Sequence, residues 1–161
     1  GTDQQLYFDD LTVGDTQLLG SHTFLEEDII TFARAYDPQS FHTDPEAARD
    51  SFFGSLCASG WHTAAIWMKK MVERRNALIE AAMARDGQAA RLGPSPGFQD
   101  LKWIKPVRAG DTLTYRSRVS GKRPSASRPQ WGIVSHHNTA HNQHGECVFA
   151  FDGVVFWERK P

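Results

Sequence analysis

Helical periodicity gives way to strand alternation along this chain, and the order of the two sets its architecture. From Ser59-Gly60 onward, Trp61, Ala64, Ala65, Met68, Met71, Val72, Leu78 and Ile79 recur at helical spacing, with charged residues opposite. Beyond Gly97 the apolar residues alternate instead, over Phe98–Val107, Thr112–Ser120, Trp131–Asn138 and Glu146–Glu158. Turn residues separate these segments at 109–111, 121–124 and 142–145. Connections this short favour an antiparallel meander, and an earlier strand around Gln17–Phe24 would complete the sheet. A long helix followed by a meander predicts an α+β arrangement, with an antiparallel sheet wrapped around a long central helix.

Residues 85–97, between the two patterns, are rich in Gly, Pro and Ser and read as a surface loop. Neither half has both a core and its cover, so residues 1–161 are read as a single domain, long enough to bury a core unaided. A first helix is expected over Glu26–Tyr36, where Ile29, Phe32, Ala33 and Tyr36 share a face and three acidic residues meet the positive helix end. Leu25 stands where a capping hydroxyl is expected, with Thr23 as the alternative. A sharper start follows, with Asp44 as N-cap and Pro45 in the first position. Between the two helices, Asp37-Pro38-Gln39-Ser40-Phe41-His42 is predicted to be irregular, because Pro38 disfavours helical geometry at Asp37.

The composition, 40% hydrophobic and 23% charged, is that of a soluble globular chain. A formal net charge of −1 supplies no long-range field for nucleic acid or an anionic membrane, so neither is an expected partner. Cys57 and Cys147 lie far apart without CxxC spacing and read as two thiols in a reducing compartment. With no basic and apolar leader and no apolar run of bilayer length, a cytoplasmic location is expected.

The stretch from Phe32 to Ala47 places a carboxylate, Asp37, and an imidazole, His42, in a loop held by a helix at each end. Adding water across a conjugated double bond needs a base for the water and an acid for the adjacent carbon. A carboxylate and an imidazole sharing one water fill both roles, each transfer contributing roughly 10²–10⁴-fold. Charge developing on a carbonyl oxygen needs a donor. The start of the long helix offers one in the Gly60 N–H, since glycine permits close approach to the backbone. Ser59 beside it reads as the helix cap, with direct substrate contact as the alternative.

Asp37…His42, followed by Cys57-Ala58-Ser59-Gly60-Trp61, resembles the signature of the MaoC-like dehydratases and (R)-specific enoyl-CoA hydratases. That signature reads Gly-Asp-x-Asn-Pro-apolar-His-x-Asp, then a glycine-containing helix start. The later Pro106-Val107-Arg108-Ala109-Gly110-Asp111 is similar to the family's Pro-Val-x-x-Gly-Asp turn. The resemblance implies a hotdog fold, commonly a homodimer or higher homo-oligomer with active sites near the subunit interface. It implies Asp37 and His42 as the catalytic pair and Gly60 as the donor to a thioester carbonyl. The implied substrate is a 2-enoyl or 3-hydroxyacyl thioester of coenzyme A or acyl carrier protein, as in fatty acid metabolism, with no cofactor and no metal. This chain departs at Tyr36, where the family has Gly, and at Gln39 and Ser40, where it has Asn and Pro.

His136, His137, His141 and His144 read as a solvated hairpin rather than a metal site, since strand neighbours point to opposite faces. Cys57 precedes a helix start but has no spaced base, so core packing is expected. Arg116, Arg118, Lys122, Arg123 and Arg128 are candidates for the phosphates of coenzyme A, against an ordinary charged strand face. The aromatic-rich strand Val148–Trp157 is expected in the sheet core, with some residues at a dimer interface. Two other functions compete. A hotdog thioesterase would carry a carboxylate on or near the central helix, and the Ser59-to-Thr63 start has none. An acyl-thioester-binding module would retain the pocket without turnover.

Overall fold

The computed structural model describes residues 4–161. Strands β1 (Thr16–Thr23), β2 (Gly97–Trp103), β3 (Thr112–Pro124), β4 (Trp131–His141) and β5 (Cys147–Glu158) form an antiparallel sheet in the order β1-β3-β4-β5-β2. Helices α1 (Glu26–Tyr36), α2 (Ser40–Thr43) and α3 (Pro45–Arg49) lie between β1 and the long helix α4 (Gly60–Asp86). At ~1.5 Å per residue α4 is about 40 Å long. It packs on the sheet through the Tyr115 hydroxyl, which donates to the Thr63 carbonyl at 2.8 Å, and through Trp67, edge-on to Phe151 at 4.6 Å. Gly87, with φ +71°, ends it in the left-handed region, and its N–H donates to the Met83 carbonyl at 2.9 Å.

The meander holds for β3-β4-β5 but not for β2, which crosses to the far edge and pairs with β5. The turn at 109–111 therefore joins strands that are not neighbours. β2 also stops at Trp103, short of the expected Val107. Residues 121–124 do not end β3. The register shifts between Val119 and Gly121, and pairing then continues to Pro124 against Gly132. A bulge absorbs the glycine that reads locally as a turn. On α4, Ala65 is exposed and Trp67 takes the sheet-facing side, so the buried stripe is rotated from the expected one.

The main core gathers Phe24 and Ile29 with Leu113, Tyr115, Ala140, Val148 and Phe149. A second cluster sets Phe8 and Leu11 on Val119 and Val134. Phe8 lies so close to the backbone of Gly132 that a Cβ there would stand 2.1 Å from its ring. Gly132→Ala is expected to lower stability by about 1–3 kcal/mol through overpacking, with a matching fall in Tm by calorimetry. Phe8→Ala in the same background should relieve the clash, so the two losses should fail to add.

Candidate active site

The C-terminus of α1 delivers Asp37, whose N–H closes the last turn on Ala33 O at 2.8 Å before Pro38 breaks the run. The chain then turns into α2, a single helical turn, so His42 sits on short helix rather than in the irregular segment expected. The local bond from His42 N to Gln39 O, 2.9 Å, suffices to make that turn once Pro38 is passed. Asp44 caps α3 as anticipated, its carboxylate accepting from the N–H groups of Glu46 and Ala47.

His42 is buried, and its two ring nitrogens face different partners. Nδ1 lies 2.6 Å from the Cys57 carbonyl and Nε2 lies 3.3 Å from Asp37 Oδ2. A carbonyl only accepts, so Nδ1 carries the proton and donates. In the neutral ring Nε2 then turns a lone pair toward a carboxylate. Two acceptors face one another, a gap satisfied by a proton on Nε2 or by a water donating to both. Burial pushes the Asp37 carboxyl upward, but hydrogen bonds from Gln39 and Ser59 and the attraction of His42 outweigh it, and its pKa falls below the usual value. The Gln39 amide donates to Asp37 Oδ1 at 2.7 Å. Gln39 is thus a support of the site that sequence reasoning marked only as a departure.

The Cys57 carbonyl is fixed by its flanks. Cys57 N–H donates to Phe41 O at 3.2 Å, and Ala58 N–H donates to Val107 O at 2.7 Å. Val107 belongs to the Pro-Val-x-x-Gly-Asp segment, where Asp111 Oδ2 accepts from Arg108 N–H at 2.9 Å and the Arg108 guanidinium bonds Phe53 O and the Ser55 hydroxyl. The motif therefore acts as a brace behind the pair. Cys57 itself is buried with its thiol pushed up to about 11, first by burial, and is no activated nucleophile.

Ser59 is 1% exposed and caps α4, its hydroxyl accepting from Trp61 N–H at 3.2 Å while hydrogen-bonding Asp37. One hydroxyl thus ties the helix start to the carboxylate. The Gly60 N–H meets no acceptor among the described residues, whereas its carbonyl accepts from Trp103 Nε1 at 2.9 Å. The indole lies flat enough on Gly60 that a Cβ would stand 2.3 Å from it. Trp103 is a further neighbour that sequence reading missed, being 43 residues distant in the chain.

A cavity of about 450 Å³ lies between α4 and the sheet. It reaches this corner at Trp61, the residue after Gly60. Asp37, His42, Ser59 and Gly60 do not line it. Of the four histidines, His136 lines the cavity and burial lowers its pKa to about 4, which corrects the expectation of a solvated hairpin. His137 instead faces Asp152 at 2.7 Å. Among the described residues no cluster of His, Cys, Asp or Glu could hold a metal ion, and no helix is long and apolar enough to cross a membrane. Of the basic residues, Arg116 and Arg118 are exposed, Lys122 donates to Phe8 O at 3.0 Å, and Arg128 lies over Phe156.

The family described as MaoC like domain matches residues 9–141. The uncharacterized protein YdeM of Bacillus subtilis (strain 168) is 30% identical over 151 residues, which cover 94% of this chain and 98% of that protein. The solved structure of the MaoC-like dehydratase from Rhodospirillum rubrum is 38% identical with a TM-score of 0.80, covering 97% of this chain and 99% of that one. The R-hydratase PhaJ1 from Pseudomonas aeruginosa shares the fold at 22% identity, with a TM-score of 0.63 over 98% of this chain and 88% of its own. A family match that spans both the Asp37–His42 loop and the Pro-Val-x-x-Gly-Asp brace makes this chain a member of the MaoC-like dehydratase domain family, with its α+β hotdog fold.

Proposed function

We propose that the protein catalyses reversible hydration of a 2-enoyl thioester to the 3-hydroxyacyl thioester, with Asp37 and His42 as its acid–base pair. The geometry of the pair carries this reading: Nε2 and Oδ2 stand 3.3 Å apart while Nδ1 is anchored on Cys57 O. A water donating one hydrogen to each acceptor has its oxygen lone pairs turned outward. That oxygen bonds to C3 of the enoyl group as one of its protons passes to Nε2, and the ionised Asp37 stabilises the resulting imidazolium. The electron pair of the double bond shifts toward the thioester, whose oxygen is received by the Gly60 N–H at the positive end of α4. C2 then takes a proton back from the pair, which restores the starting state. Dehydration runs the same steps backward.

The acyl chain leaves this corner past Trp61 and occupies the cavity under α4, which supports a chain longer than crotonyl. Coenzyme A or acyl carrier protein would carry it, and a homodimer or higher homo-oligomer remains the expected assembly. An assay of crotonyl-CoA and longer enoyl-CoA thioesters, read as loss of the conjugated enoyl absorbance, tests the proposal. Formation of the 3-hydroxyacyl product without free thiol is expected. Thiol release would move the protein to the thioesterases, and ligand-induced stabilisation without product would leave a binding module.

A further inference from the structure

Gly153 stands in the middle of β5 without any of the usual local reasons for a glycine. Inside a strand, glycine weakens the pairing and ordinarily marks a bulge, a sharp bend, or a close approach of backbone or ligand. Pairing at Gly153 is regular, with His136 on one side and Phe98 on the other. Its φ is not positive, so no left-handed geometry requires the residue. Nor does another strand's backbone press on it. A Cβ there would first meet the ring edge of Phe151 at 3.3 Å and the Asn138 amide nitrogen at 3.7 Å. At Gly60 and Gly132, by contrast, the added atom would overlap an aromatic ring. Gly153 is half-buried and lines the cavity of about 450 Å³. What the missing side chain leaves is open space on the cavity side.

Cross-strand rows measure how deep that space lies. The first row of the inner face, Tyr115–Ala140–Phe149, lies under the start of α4, where the Tyr115 hydroxyl reaches the Thr63 carbonyl. The second holds Phe151, which Trp67 meets edge-on, and the third holds Gly153. Trp67 follows Gly60 by seven residues, about 10 Å of helix. At about 1.3 Å per carbon, the projection of a ~1.5 Å bond, that is the reach of an octanoyl chain. One more row adds roughly 7 Å and brings a chain of about thirteen carbons to Gly153. Val155 and Trp157, farther along β5, and Leu78, farther along α4, continue the lining beyond it.

Building on the acyl-thioester reading above, we infer that the missing side chain at Gly153 joins the near and far parts of this cavity and fits the protein to long acyl chains, of about sixteen carbons. A tail that passes Gly153 exchanges water for the apolar walls at Val155, Trp157 and Leu78. Each methylene so buried is worth about fourfold in affinity. A side chain at this position would stand in the tail's path and end the cavity near the third row.

Isothermal titration of the whole protein with octanoyl-CoA and hexadecanoyl-CoA, both kept below micelle-forming concentrations, tests this. Both thioesters are saturated, so binding is read apart from turnover. Hexadecanoyl-CoA should bind at least about tenfold more tightly. Gly153→Val, whose branched side chain suits a strand, should bring the two affinities within about threefold by weakening the long chain. Gly153→Ala asks the Phe151 ring edge to give by only a few tenths of an ångström and should remove part of the preference. It decides the matter if the valine variant fails to fold, which a thermal melt would show. No preference for the long chain in the unaltered protein, no binding of either thioester, or a preference undiminished in the variants that fold would each overturn the inference. A long-chain preference set by Gly153 in a protein that hydrates no enoyl thioester would sink the hydratase reading alone. Hydration with no long-chain preference would sink this inference alone.

Discussion

Asp37→Asn is expected to lower kcat/KM for enoyl-thioester hydration by about 10²–10⁴-fold, and His42→Ala by a similar factor. The double variant should be little worse than either single one, because both groups act on one water and a unit lost once cannot be lost again. Asn keeps the shape of the carboxylate but cannot stabilise an imidazolium. It also turns either an amide donor toward Nε2 or a weaker acceptor toward the water. Asp37 is only partly buried, its side chain 18% exposed, so this variant should fold. His42→Ala is less clean. It leaves the buried Cys57 carbonyl without its 2.6 Å partner, a loss of about 1–3 kcal/mol that thermal denaturation should register. Asp37→Asn at native Tm with rates within about twofold of the unaltered protein would remove the pair from the chemistry.

Much of the frame that holds the pair is legible in the sequence. Asp44 and Pro45 announced a helix start, the acidic run 26–28 marked another, and Pro38 between them fixed where α1 had to end. Local chemistry decides such features, so local sequence reveals them. Strand order is different. Nothing within β2 says that it pairs with β5 across the sheet rather than with β3, its successor, because pairing depends on residues some 50 positions away. Gly121 shows the same limit, since a glycine that bends a strand and one that ends it look alike until the partner strand is known. The supports of the site were hidden for a related reason: a backbone carbonyl at Cys57 and an indole from Trp103 carry no motif. That His136 and Asn138 line the cavity was legible in principle. Val134, His136, Asn138 and Ala140 alternate along one strand, so His136 and Asn138 share the face of two core residues. Counting His136 with its three histidine neighbours drew it toward the solvent instead.

Gly60→Ala should be the most damaging single methyl in the proposed catalytic corner. Backbone strain is not the cause, since Gly60 is the first residue of α4 and an alanine can adopt helical geometry there. Space is the cause. The added Cβ would stand 2.3 Å from the Trp103 ring, whose indole also holds the Gly60 carbonyl at 2.9 Å. Trp103 is 45% exposed and has room to swing outward, so the fold should survive at a cost of about 1–3 kcal/mol. Catalysis should suffer more, by about 10²–10³ in kcat, if the glycine N–H is the donor to the thioester oxygen. The two uses of this glycine separate in a double-mutant cycle with Trp103→Ala. Removing the ring should restore most of the stability lost to the methyl, because the clash has gone. It should restore little of the rate if the methyl itself holds the thioester away from the N–H. Recovery of both together would mean that Gly60 only makes room for an indole, and the oxyanion donor would have to be sought elsewhere.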